Sequence, residues 1–368
     1  MSNSLHFPYM FWAHHEAALS PYCLSQSGMP VPPVDFLGGL QVDIGHPCVD
    51  ALPALTRRLG ELYGVQPERV LVTVGASSAM HLAAMRWFGA GSRVAVEVPS
   101  YEPLRALPQF YGAELRALER HQETRWDLEP SAVRSALQGA TGRGHVFLSN
   151  PHNPSGAMLD AERLKAIAAE AQAANGLLVS CEIYQEFVPP KRRVHAFDVA
   201  PNGVTISGLT KAYGLGGLRI GWMILGEQVA EEMLQVTDMS YMTYLDPPTA
   251  SLVAARIALD HLPALLQPLA RISAQSRPIW EKWLRVTPGV SSFVPEFGII
   301  AFPRIRDVGD SAALASFLQS EFQVDVVPGE YFGRPGHLRV SCGVPAETLR
   351  LGLEQLAKGI EAFKSQNP

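Results

Sequence analysis

A lysine set among small and apolar residues draws attention first. Lys211 lies in the run Ser207-Gly208-Leu209-Thr210-Lys211-Ala212-Tyr213-Gly214-Leu215-Gly216-Gly217-Leu218-Arg219. Lysines normally sit in water; burial disfavours the charged form, lowers the pKa and leaves an amine that attacks carbonyl carbon. Standing alone, the run reads as a lysine on a solvated turn. Four further segments carry residues of chemical interest. Gly75-Ala76-Ser77-Ser78 opens a helix with small residues, so that backbone N–H groups can face an anion, or simply makes a Ser-capped connection. Tyr101, after Pro99-Ser100, could stack on a flat ligand or pack in the core. Asn150-Pro151-His152-Asn153-Pro154-Ser155-Gly156 contains two Asn-Pro steps, which stiffen a turn and can hold an amide still. Ser180-Cys181-Glu182-Ile183-Tyr184 ends on a phenol.

Each of these segments follows a short apolar run. Such runs occur at Val70–Val74, Arg93–Val98, His145–Ser149, Leu177–Cys181, Val204–Ile206 and Arg219–Leu225, and most are separated by helical spacing, as in Ser77–Phe88 and Ala161–Ala174. Alternation of this kind predicts a mostly parallel sheet covered on both faces, with ligands beyond the carboxyl ends of its strands. The last third changes character: a long helical stretch Ala250–Leu284, then Gly298–Phe302, a helix near Ser311–Glu321 and a strand at His337–Ser341. That pattern predicts an α+β second domain. The Pro- and aromatic-rich first 45 residues are expected to join it, wrapping the larger domain. Tyr9, Phe11 and Trp12 there either line an apolar pocket or pack the arm down.

With 368 residues, 47% hydrophobic and a net charge of −5, the chain has material for two packed domains. Basic residues are scattered, so no nucleic-acid partner is expected. No run approaches the ~20 apolar residues that cross a bilayer, and Phe7–Trp12, short, aromatic and broken by Pro8, does not read as a signal-peptide h-region, so a soluble, non-secreted protein is expected. Cys23, Cys48, Cys181 and Cys342 are far apart, which suits free thiols in a reducing cytoplasm, and His14-His15 lacks partners for a metal site.

Taken in order, Asn-Pro-x-Asn-Pro-Ser-Gly, Glu-x-Tyr, Thr-Lys-Ala-Tyr-Gly-Leu-x-Gly-Leu-Arg-x-Gly and a late Arg after Val-Pro-Gly resemble the fold-type I pyridoxal-phosphate enzymes, specifically the class I/II aminotransferases. The resemblance runs from about residue 50 to 345. It implies an α/β fold: a three-layer, mostly parallel sheet in an aspartate-aminotransferase-like large domain (46–270), with a smaller α+β domain from 1–45 and 271–368. It implies a pyridoxal 5′-phosphate cofactor, amino-acid and 2-oxo-acid substrates and a cytoplasmic homodimer. Lys211 would hold the cofactor as a Schiff base and move the substrate proton. Arg219, with Ala76 and Ser77, would hold the phosphate, and Thr210 would assist. Tyr101 would stack on the ring, and Asn153 and Tyr184 would bond its phenolic oxygen. Arg339, with Asn153 nearby, would grip the substrate carboxylate.

Three positions depart from the family pattern. Cys181 stands where relatives place an aspartate against the pyridine nitrogen, and a thiol (reference pKa about 8.5) is largely neutral at pH 7. Ordinary transfer, another pyridoxal reaction (lyase, racemase, cyclase or decarboxylase) and a cofactor-binding protein with reduced turnover all follow from that change. Gly208 replaces a phosphate-binding Ser or Thr, with Ser207 and Thr210 flanking it. His46, in Gly45-His46-Pro47, is the nearest candidate for the partner-subunit phosphate contact that relatives make with a tyrosine.

Overall fold

The computed structural model describes residues 7–15, 17, 20–38, 40–41 and 48–366; His46 and its neighbours lie outside the described residues. Seven strands form the main sheet: β1 (Val70–Thr73), β2 (Arg93–Val98), β3 (Glu114–Glu119), β4 (Gly144–Ser149), β5 (Leu178–Cys181), β6 (Gly203–Gly208) and β7 (Gly221–Leu225). Their order is β1-β7-β6-β5-β4-β2-β3. Only β7 runs against its neighbours. The β-branched runs are buried on both faces. Val94, Val96, Phe147 and Val179 pack with the helix Ala76–Trp87, while Ala95, Val146, Leu148 and Leu178 pack with the helices Pro130–Leu137 and Ala161–Ala173. This is the three-layer arrangement that a parallel sheet requires.

The sequence pattern does not mark β3. Its Glu-Leu-Arg-Ala-Leu-Glu is poor in β-formers, and pairing with β2 from Arg93↔Glu114 to Val98↔Glu119 makes it an edge strand with charged, exposed positions. The expected single helix Ala250–Leu284 is two, Thr249–Asp260 and Leu262–Val286, bent by 72°. Pro263 starts the second helix at a first-turn position, where its missing N–H costs nothing. A 21-residue C-terminal helix, Ala346–Gln366, also went unmarked. It packs Leu349, Leu353 and Leu356 against Trp280, Trp283, Leu314 and Leu318. Among the described residues no single helix is long and apolar enough to cross a membrane.

Tyr22–Cys23 pairs in parallel with Val324–Asp325, tying the N-terminal arm to the C-terminal third. A small antiparallel sheet there has Leu338–Ser341 between Ile300–Ala301 and Val327–Pro328. Its central strand carries Arg339.

Candidate active site

The carboxyl ends of β1, β2, β4, β5 and β6 meet at one edge of the sheet, and β7, running the other way, begins there. A cavity of about 590 Å³ lies above this edge. Ala76, Ser77, Tyr101, Asn153, Thr210, Lys211 and Arg219, each foreseen from sequence, line it together with Tyr9, Trp12, Ser27, Ile183 and Gly208.

Lys211 follows β6 by three residues. Its Nζ donates to Ser27 Oγ at 2.7 Å, and its carbonyl accepts from Met29 N at 2.7 Å. Burial, reinforced by the charges of Arg339 and Arg219, lowers its pKa to about 8. The amine is therefore closer to neutrality at physiological pH than a surface lysine.

An anion cradle sits opposite. Gly75 has φ +81°, and a Cβ there would come within 2.8 Å of Arg219 Nη2, so the guanidinium lies directly against the strand-to-helix turn. Gly221 brings β7 equally close: a Cβ would meet Ala76 N at 2.3 Å. Ser78 Oγ donates back to Val74 O at 2.8 Å, which leaves the exposed Ser77 hydroxyl to the cavity. Gly208 also faces this cradle. A Cβ at that position would lie 3.0 Å from Ile220 O, so a larger residue would crowd the β6–β7 crossing.

Tyr101 and Ile183 give the cavity flat and apolar walls. The Tyr101 hydroxyl contacts Met10 Sδ at 3.1 Å, and its ring meets Tyr9 edge-on at 5.8 Å. The Tyr184 hydroxyl is buried near Ser27 without a hydrogen-bond partner among the described residues, and burial pushes its pKa up to about 12. A phenol in that state is a donor awaiting an acceptor.

Arg339 is buried among the aromatic rings of Tyr9 and Phe332, with its guanidinium carbon 5.4 and 5.2 Å from their centroids. It donates to Tyr9 Oη at 3.1 Å, Ser25 O at 2.9 Å and Asn153 Oδ1 at 3.4 Å. No carboxylate among the described residues pairs with it, and a buried guanidinium held only by neutral acceptors suits a carboxylate ligand.

Cys181 ends β5 within the apolar layer under the cavity, and burial pushes its thiol up to about 12. The two carboxylates whose charge reaches it are turned elsewhere. Glu182 bonds His195 Nδ1 at 2.7 Å and Ala196 N at 2.8 Å. Glu97 accepts from Ser149 Oγ at 2.6 Å and pairs with Arg120 at 2.7 Å. Neither takes the place of the absent aspartate.

Sequence reading passed over Ser25, Ser27 and Ile183. Ser27 lies 184 positions from the lysine it meets and Ser25 lies 314 from Arg339, so neither carries a local signal; Ile183 was readable only as two residues beyond Cys181. Of the N-terminal aromatics, Tyr9 and Trp12 line the cavity, whereas Phe11 is 52% exposed.

The donors suit pyridoxal 5′-phosphate: a guanidinium and helix start for the phosphate, an unpartnered phenol for the ring oxygen, and a buried amine for the aldehyde. The thiol below them is the one poor fit.

Comparison with known proteins agrees. The sequence model of aminotransferase class I and II matches residues 46–356. Capreomycidine synthase of Streptomyces vinaceus is 29% identical over 296 residues, covering 78% of this chain and 74% of that one. Aspartate aminotransferase of Musicola paradisiaca is 25% identical over 329 residues, 85% and 80% of the two chains. In fold, the chain resembles a pyridoxal-phosphate-dependent aminotransferase from Streptococcus suis with a TM-score of 0.84, at 24% identity and 98% coverage of both chains.

Proposed function

Because the chain belongs to the class I and II aminotransferases and uses pyridoxal 5′-phosphate, we propose that the cavity around Lys211 moves an amino group between an amino acid and a 2-oxo acid. The observation that carries this reading is the buried Lys211 amine, lowered to about 8, in the same cavity as the Arg219 cradle and beside the unpaired Arg339. When bound, the cofactor supplies an aldehyde that receives the amino group and a ring that takes up charge developing at the substrate Cα.

The protein does the rest. Arg219, Ala76 N–H and Ser77 grip the phosphate, so the ring cannot drift. Tyr101 and Ile183 confine it, while Tyr184 and Asn153 donate to its oxygen. Arg339 holds the substrate carboxylate with two parallel N–H groups and thereby places the Cα proton within reach of Lys211 Nζ. A neutral amine takes that proton and returns it across the cavity. Residues 46–270 form the cofactor-binding domain, with 1–45 and 271–368 as the smaller one. The working unit is a homodimer in the cytoplasm.

Cys181 favours a second reading. A neutral thiol where relatives carry an aspartate would weaken the charge sink on which amino transfer depends. The likeness to a synthase among the relatives points the same way, toward a lyase, racemase, cyclase or decarboxylase outcome. Stoichiometric product amino acid supports transfer, whereas ammonia, racemised substrate or carbon dioxide supports the alternative. Borohydride reduction of the cofactor-loaded protein, followed by peptide mapping, should tag Lys211. A colourless protein left unlabelled after excess cofactor would overturn both readings.

A further inference from the structure

Apart from the Lys211 cavity, and sharing no lining residue with it, a second cavity of about 270 Å³ lies where the end of β3 and the following loop meet the C-terminal third. Arg120, Gln122 and Glu123 face it from one side, and Arg304, Arg334 and His337 from the other.

Its polar groups are incompletely matched. Arg120 is 1% exposed; its Nε donates to Trp126 O and its Nη1 to Glu97, but Nη2 has no partner among the described residues. Arg334 uses Nη2 on Glu119 and on Arg120 O, leaving Nε unpartnered. Gln122 spends its amide N–H on Ser291 at 3.3 Å, and its Oε1 has no donor. His337 Nδ1 faces Pro335 O, so Nε2 is left toward the cavity, and burial with the nearby Arg334 and Arg304 keeps the ring neutral. Arg304 and Glu123 make no ion pair with the described residues. Buried polar atoms without partners are rare in folded proteins, and here three of them cluster around one cavity.

The charges balance. Glu97 and Glu119 offset Arg120 and Arg334, and Glu123 offsets Arg304, so a simple anion gains nothing from net charge. The groups open to the cavity nevertheless come in both kinds: guanidinium N–H donors on Arg304 and Arg334, and carboxylate and imidazole acceptors on Glu123 and His337. Backbone geometry supports a built site. Arg125 and Trp126 are consecutive non-glycine residues at φ 59° and 61°, and this turn aims Trp126 O at Arg120, orienting the guanidinium.

We propose that this cavity binds a free α-amino acid as its zwitterion, the carboxylate on Arg334 and Arg304 and the ammonium on Glu123 and His337. The volume accepts a small amino acid. The site also communicates inward: Arg120 holds Glu97, Glu97 holds Ser149, and Ser149 Oγ accepts from the backbone N of Asn153 at 3.0 Å. The charge pattern, not the proposed reaction, carries this inference.

The test is equilibrium dialysis of radiolabelled L-alanine against cofactor-loaded, borohydride-reduced protein, in which the Lys211 cavity can no longer react. The natural chain should retain one alanine that the Arg304→Gln/Glu123→Gln double variant binds at least about tenfold more weakly. Propionate and L-alaninamide, each keeping one charge, should compete at least about tenfold less well than alanine. No retention by the natural chain (water only), equal retention by the variant, or propionate matching alanine would each overturn the proposal. Both substituted residues are exposed, so the variant should fold.

Discussion

At Lys211 the physical point is a competition between burial and nucleophilicity. A lysine held near 8 is about one-tenth neutral at pH 7, whereas an ordinary one near 10.4 is well under ~1% neutral. The sign is that of a depressed base: the reactive form grows as pH rises and saturates above the folded pKa. Uptake of the cofactor aldehyde by apoprotein should therefore accelerate about tenfold per unit below pH 8 and level off near it, followed by stopped-flow absorbance. A rate still climbing toward pH 10 would mean an exposed amine. The neighbouring thiol makes a second prediction. Cys181→Asp should speed the half-reaction with amino acids by about tenfold or more, through a carboxylate partner for the ring nitrogen. It should also lower the apoprotein's unfolding midpoint, because that carboxylate is buried without a partner. An unchanged rate would show that the missing carboxylate is not what limits transfer.

Among the elements, the N-terminal helix Pro8–His15 depends most on its surroundings. Eight residues are too few to stay helical alone in water. Glu102, itself buried, accepts from Tyr9 N at 3.3 Å and Met10 N at 3.2 Å, and so clamps the helix that delivers Tyr9 to Arg339. Glu102→Gln should weaken amino-acid affinity several-fold, by about 1 kcal/mol, with little change in global unfolding. Equal losses in both would make Glu102 a general core residue rather than a clamp. The strands were readable because runs such as Val-Ala-Val-Glu-Val combine β-branched residues with continuous burial. The edge strand β3 and the break at His261 were not. An edge strand lacks an apolar signature, and helical periodicity continues through a bend that tertiary packing imposes.

On the scale of the whole molecule, Leu234, Met242 and Leu245 gather around the helix Met233–Thr243 at 68%, 88% and 68% exposure. Single exposed apolar residues are ordinary, but three around one helix mark a surface expecting cover. In the proposed homodimer a second copy supplies it. Met242→Glu/Leu245→Glu should halve the sedimenting mass; an unchanged dimer would place the interface elsewhere. Sequence alone was sufficient for the family, the three-layer sheet and the order of Ala76, Tyr101, Asn153, Lys211 and Arg219, because the first four follow strand ends that converge and Arg219 leads into β7, which starts at the same edge. Folding decided what depends on distant segments meeting. Ser27 reaches Lys211, Tyr9 reaches Arg339, and the carboxylates of Glu97 and Glu182 are committed to other partners rather than to the place beside Cys181. Local pattern encodes which way a side chain leaves its own strand; only the packed chain determines what waits for it on the other side.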